Sequence, residues 1–210
     1  MYTRYMFHHP LPGKNAEMRT LIEEHVKAEN ERGASRNSFL ITMNQPTLAM
    51  IHVIQHEDLG AMEHHMANRS PDFQAYGSKM QTLVSTSPYP IIHEVLARET
   101  SDKPLNYIWT TIHTPKQGAG PQLRQLLEER VKTSLQRGSS AAVLASRAFS
   151  PSGPEFALRV IFSDLATLEG YLKANQADAS LRTWGTALNS VTAAPVRQAL
   201  NRIVVPLPMS

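Results

Sequence analysis

Three histidines and one arginine carry most of the chemistry that this sequence could perform. His8 and His113 each stand two residues before a proline, Pro10 and Pro115, and His52 lies in an otherwise apolar run from Met50 to Ile54. Imidazole titrates near neutral pH, so His8, His52 or His113 could take a proton from an acidic phenol or enol. Arg159 could hold the oxyanion that results, and Trp109 could stack on the ring. These four ionisable residues are the candidate catalytic set, with Tyr2, Tyr107, Trp109 and Met50 as candidate substrate-binding residues. Each has a plainer reading beside it: a histidine at a strand end is more often hydrogen-bonded structure, and Trp109 can simply fill a core. His52 aligns with Arg159 under an internal repeat described below, which would make the two halves chemically unlike at one symmetric position.

The same inventory closes other routes. There are no cysteines, which removes disulfides, thiolate metal sites and cysteine nucleophiles. His52, His56, His64 and His65 cluster with Glu57 and Glu63, but no HExxH pattern is present and neighbouring helical residues point about 100° apart, so no metal site is expected. No Gly-rich phosphate loop, nucleophile elbow or kinase signature occurs, and no cofactor is expected. Twenty-one basic and 18 acidic residues give a net charge of +3, interspersed along 210 residues, which argues against nucleic-acid binding. No apolar run approaches the ~18 residues of a membrane span, and the opening MYTRYMFHHP lacks a signal-peptide pattern, so a cytoplasmic protein is expected.

The elements that would position these residues occur twice. Shifting the chain by 105 residues aligns Leu21–Ser35 with Leu126–Ser140 and pairs Tyr2, His8, Pro10, Gly13 and Arg19 with Tyr107, His113, Pro115, Gly118 and Arg124, giving 13 identities over the 40 positions from Tyr2 to Ile41. Further on, with shifts of 106 to 108, Asp58-Leu59 meets Asp164-Leu165, and Phe73–Met80 meets Leu181–Leu188. Two units are expected, residues 1–100 and 105–210, joined by a polar linker at about 98–106.

Within each unit an amphipathic helix carries Met18, Leu21, Ile22 and Val26, or Leu123, Leu126, Leu127, Val131 and Leu135, and ends at Gly33 or Gly138. A second helical stretch starts after the N-caps Asp58 and Asp164 and breaks at Arg69-Ser70-Pro71. Strands are expected at Tyr2–His9, Asn37–Met43, Leu48–Gln55 and Ile91–Ala97, then at Tyr107–His113, Val143–Phe149, Glu155–Phe162 and Val196–Val204, with hairpin turns at Gln45-Pro46 and Ser150–Pro154. The order is β-α-β-β-α-β twice, an α+β, ferredoxin-like arrangement with helices on one sheet face. Two bare faces can cover each other, and one chain makes that pairing intramolecular. On that reading Tyr2, Arg4, Met6 and His8, Tyr107, Trp109, Thr111 and His113, Met50, His52 and Ile54, and Ala157, Arg159 and Ile161 line the interior.

The helix run Pro12–His25 and the segment His64–Val84, with this element order, resemble the dimeric α+β barrel superfamily, in particular its antibiotic-biosynthesis-monooxygenase-like and NIPSNAP-like branches. The resemblance implies an intramolecular version of the usual two-chain barrel, open to further pairing as a homodimer. It also implies a choice of activities: cofactor-independent oxygenation of aromatic polyketides, haem binding or degradation, and lactone isomerisation. In the haem-degrading branch an iron-ligating histidine follows the aromatic residue of the break; the matching positions here are Gly77 and Gly185, so that activity is not carried over. The expected function is a cofactor-independent monooxygenase acting on an aromatic or polyketide-like small molecule. The alternatives are an isomerase on the same scaffold and a non-catalytic binding or assembly protein.

Overall fold

A computed structural model of the chain describes residues 1–208 except 34, 46, 69, 70, 151, 152, 194 and 195. The first half runs β1 (Tyr2–His8), α1 (Asn15–Arg32), β2 (Arg36–Thr42), β3 (Met50–His56), α2 (Leu59–Ala67), α3 (Pro71–Gln81) and β4 (Tyr89–Thr100). The second runs β5 (Tyr107–His113), α4 (Gly120–Ser134), β6 (Ala141–Arg147), β7 (Phe156–Phe162), α5 (Leu165–Ala177), α6 (Ala179–Val191) and β8 (Arg197–Val205). The eight strands close into a barrel in the order β1-β3-β2-β8-β5-β7-β6-β4. Begun at β4, this is 4-1-3-2 followed by 8-5-7-6, the ferredoxin-like order taken twice in an α+β protein.

Local chemistry sets the element ends. Gly33 and Gly138 adopt φ of 71° and 100°, the left-handed conformation that a Cβ disfavours, and their N–H groups donate to the carbonyls of Asn30 and Leu135. In the second half the last turn before Gly138 tightens into a 3-10 turn, Leu135–Arg137. Asp58 and Asp164 cap α2 and α5, each accepting from a backbone N–H three residues on at 2.7 Å. Arg32 bonds Asp72 at 2.5 Å and Arg137 bonds Asp178 at 2.6 Å, tying corresponding helix ends together in each half.

Some expectations need correction. The second half also divides its second helical stretch, into α5 and α6, where no break was placed, and Asp178 caps α6 by accepting from the N–H and hydroxyl of Ser180. The break proposed at 69–70 and the turn residues 46, 151 and 152 lie outside the described residues. The strand expected to reach Phe149 stops at Arg147, because Phe149 takes φ of 58° and leaves the ladder. The linker is shorter than expected: Arg98–Thr100 continue β4, and Ser101 donates to the Ser140 carbonyl from both N–H and hydroxyl, at 2.9 and 2.8 Å.

Contacts divide the chain into two compact units, Met1–His93 with Arg202–Ser210, and Glu94–Asn201. The boundaries fall inside β4 and β8. The core of the first unit joins Met18, Ile22 and Val26 of α1 to Phe39, Met50, Tyr76, Met80, Leu83 and Val205. That of the second joins Leu123, Leu127 and Val131 of α4 to Ala142, Leu144, Phe156, Leu158, Val160, Phe162, Leu168, Tyr171 and Leu188. Phe162 is fully buried with its ring edge-on to Tyr171, centroids 5.2 Å apart. Phe162→Ala is expected to cost about 3–5 kcal/mol of stability, read as a lower urea midpoint with an unchanged m-value.

Candidate functional site

Strand register decides which of the candidate residues can meet. In the first unit Tyr2 pairs with His56, Arg4 with Ile54, Met6 with His52 and His8 with Met50. Met50 belongs to the core under α1 and α3, and His52 reaches the His25 ring of α1, so this whole set faces the helices of its own unit. In the second unit Tyr107, Trp109, Thr111 and His113 pair with Phe162, Val160, Leu158 and Phe156, the strand residues of the helix-packed core. The expected interior lining is therefore inverted for β1, β3 and β5. Arg159 pairs with Thr110 and Val143, on the face of β7 opposite to Leu158 and Val160, and so points away from Trp109 and His113. The register also removes the alignment of His52 with Arg159: the partners of His8 and His113 are Met50 and Phe156, 106 residues apart, which places His52 opposite Leu158.

In the first unit these side chains form a packed group of rings. The His25 ring stacks on Tyr76 with centroids 3.8 Å apart, and meets His52 and Phe73 edge-on at 5.5 Å. His52 is buried and its Nε2 lies 2.9 Å from Asn37 Oδ1. The Asn37 amide nitrogen donates to Ser35, so its oxygen faces the ring and His52 carries its proton on Nε2. His8 is 3% exposed with neither ring nitrogen paired among the described residues. Burial, with smaller contributions from His9 and His25, pulls His8 down to about 4; burial does the same to His25 and takes His52 well below its ordinary value.

The second unit keeps a cavity of about 200 Å³ in the same layer. Trp109, Thr111 and His113 of β5 and Leu158 and Val160 of β7 form the sheet side; Arg130 of α4, Tyr171 and Asn175 of α5, and Trp184 and Leu188 of α6 form the helix side. Thr111 Oγ1 donates to the Leu158 carbonyl at 3.5 Å and lies 2.9 Å from His113 Nε2. Nδ1 of His113 is buried with no partner among the described residues. Burial lowers His113 to about 4, so the ring is neutral at pH 7. The Arg130 guanidinium lies 5.1 Å from the Tyr171 ring and 5.7 Å from Trp184, within cation–π range. Burial lowers its pKa, and its Nη1 and Asn175 Oδ1 have no partner among the described residues. Trp184 is held by donation from Nε1 to the Leu126 carbonyl at 3.0 Å.

Of the sequence candidates, His113 and Trp109 share this cavity. Tyr107 packs on the second core, Met50 and His52 lie in the first unit's interior, Tyr2 is half-buried opposite His56, and Arg159 is on the far face. Arg130, Tyr171, Asn175 and Trp184 were not among the candidates. The signal for Arg130 was a lone charge inside the buried stripe Leu123, Leu127, Val131, at the position where the first half has His25. Among the described residues no group of three histidine or carboxylate side chains could hold a metal, and no helix is long and apolar enough to cross a membrane. A porphyrin does not fit the cavity, since a comparable engineered cavity of about 150 Å³ holds a single benzene; Gly77 and Gly185 offer no axial donor either.

This architecture matches solved structures along nearly its whole length. A candidate monooxygenase from Fusobacterium nucleatum subsp. nucleatum superposes with a TM-score of 0.78 at 11% identity, covering 98% of this chain and 93% of that one. The chain shares a dimeric α+β barrel fold. A candidate monooxygenase from Lactobacillus acidophilus gives 0.68 at 8% identity, covering 99% of both chains, and an anthrone oxidase-like protein gives 0.66 at 15%, covering 97% and 90%. No protein-family model and no curated protein sequence matches the chain.

Buried neutral histidines make stability acid-sensitive. Unfolded histidine titrates near 6.5, whereas folded His8 and His113 titrate near 4, so between these values only the unfolded chain takes up the protons. Stability is complete above about pH 6.5 and falls as pH drops toward 4, by about 1.4 kcal/mol per pH unit for each such histidine. Urea midpoints measured from pH 7 to 4.5 should decline, and His8→Leu should flatten the decline.

Proposed function

We propose that the chain is a cofactor-independent monooxygenase for a small electron-rich phenol, with its chemistry in the second-unit cavity. The proposal takes the two units as a tandem duplication in which this copy keeps the site, a reading supported by their common element order and equivalent strand registers. The observation that carries it is one cavity lined by two indoles, a phenol ring, His113, Arg130 and Asn175, with His113 Nδ1, Arg130 Nη1 and Asn175 Oδ1 buried in its walls without a partner among the described residues. The candidate monooxygenases and the anthrone oxidase-like protein that share the fold add an analogy of scaffold.

In this mechanism the ring lies between Trp109 and Trp184, its hydroxyl proton passes to His113 Nδ1, and the phenolate charge is met by Arg130. The electron-rich anion passes one electron to dioxygen, and the resulting radical pair combines to form a carbon–oxygen bond. Loss of water from the peroxide gives a quinone: one oxygen atom stays on carbon, the other leaves with two hydrogens, and dioxygen is the only oxidant. The cavity's size selects single-ring substrates over fused polyketides.

Oxygen uptake by the purified chain with a panel of single-ring phenols and hydroquinones, free of flavin and metal, tests this. His113→Ala and Arg130→Met should each reduce turnover by about 10²-fold or more. Wild-type turnover in both variants would remove the mechanism, and no uptake with any phenol would leave a non-catalytic binding protein.

A further inference from the structure

We propose that mild acid lifts α2 and α3 off the sheet of the first unit, while the corresponding α5 and α6 of the second unit stay in place.

The same ring contacts fasten these helices in both halves, but with different chemistry. Tyr2 pairs with His56 in one ladder and Tyr107 with Phe162 in the other. Measured from the caps Asp58 and Asp164, the matching helix residues are His65 on α2 and Tyr171 on α5. The centroids of His56 and His65 lie 5.3 Å apart, and those of Phe162 and Tyr171 lie 5.2 Å apart. At the third helix of each half, His25 stacks on Tyr76 at 3.8 Å, where the second half sets Arg130 over Trp184 at 5.7 Å. Phe, Tyr, Arg and Trp each keep one protonation state between pH 7 and 4, and imidazole does not.

The charges around these imidazoles give little support to a further positive one. Glu29 of α1 acts on His25, but Arg32 holds it at 2.5 Å. His8 of β1, His52 of β3 and His65 of α2 act on the same region as further imidazoles, and Arg4 of β1 acts on His52 and His56. From α3, Phe73 and Tyr76 meet His25, while Asp72 and Lys79 line the outer groove with Glu24 of α1, and Asp72 is held by Arg32. Glu57, Asp58 and Glu63 are exposed. Burial, with smaller contributions from these neighbours, lowers both His25 and His56 to about 4. Freed into water each ring titrates near 6.5, so between these values opening takes up two protons and becomes easier as pH falls. Anchoring is slight: α2 buries Met62, α3 buries Tyr76 and Met80, and α1 buries Met18, Ile22, His25, Val26 and Glu29.

Hydrogen–deuterium exchange of the intact chain at pH 7, 6 and 5, with each rate divided by its intrinsic chemical rate, tests the proposal. The opening of Leu59–Gln81 should rise about 50-fold from pH 6 to pH 5, as two-proton uptake requires, and that of Leu165–Val191 by less than about ten-fold. Trp109 and Trp184 are the two tryptophans of the chain and both belong to the second unit, so tryptophan fluorescence should stay constant over this range. The double variant His56→Phe with His65→Tyr, which gives α2 the ring pair of α5, should reduce the 50-fold rise to about seven-fold. A rise below about ten-fold in wild-type Leu59–Gln81 overturns the proposal. So does an equal slope in Leu165–Val191 or in Asn15–Arg32, which would mean unfolding of more than α2 and α3. The wild-type slopes decide the matter even if the double variant fails to fold.

Discussion

An antiparallel ladder settles in one stroke which side chains of a strand meet the helices and which turn away, because adjacent residues point to opposite faces. The pairings of His8 with Met50 and of His113 with Phe156 do this for the two units. Everything chemical follows from them: Trp109, Thr111 and His113 come under α4, α5 and α6, while Arg159 is sent to the other face. A slip of one residue would bring Ile108, Thr110 and Ile112 beneath the helices and dismantle the cavity.

With the same ladder, the two units fill the layer between sheet and helices in different ways. At matching backbone positions one carries Arg4, His25 and Tyr76, the other Trp109, Arg130 and Trp184. In the first, His25 stacks on Tyr76 and His52 bonds Asn37, while both His8 ring nitrogens, His25 Nε2, His56 Nε2 and the Tyr76 hydroxyl are buried with no partner among the described residues. In the second, His113 is oriented by Thr111 and Trp184 by the Leu126 carbonyl beside a void, and His113 Nδ1, Arg130 Nη1 and Asn175 Oδ1 are buried without partners among the described residues. Polar groups left unsatisfied beside rigid partners oppose folding stability and favour binding.

Much of the fold was legible in the sequence because its signals are local. The left-handed glycines at 33 and 138, the Asp58 and Asp164 caps and the amphipathic stripe of α1 depend on neighbours a few residues away, and each is where the spacing puts it. The face assignments were not legible. All seven residues of β7 are buried, as are all but one of β3, so the alternation of apolar and polar residues that normally marks the two sides is absent. Arg130 was hidden for the complementary reason: a helix stripe is read by its apolar members, and one charge among Leu123, Leu127 and Val131 reads as an interruption. Phe149 could not be anticipated either, since its strand-like composition gives no hint of a positive φ.

The last strand has a temporal consequence. Val205 belongs to the core that contains Met18 and Phe39, and Ser38 Oγ donates to its carbonyl at 2.7 Å. The piece of polypeptide that completes the first unit is thus made only after all of β5 to α6. Nascent chains that already expose β1, β2 and β3 must wait for β5 to α6 to be made before β8 is available, which makes that interval the natural window for chaperone capture.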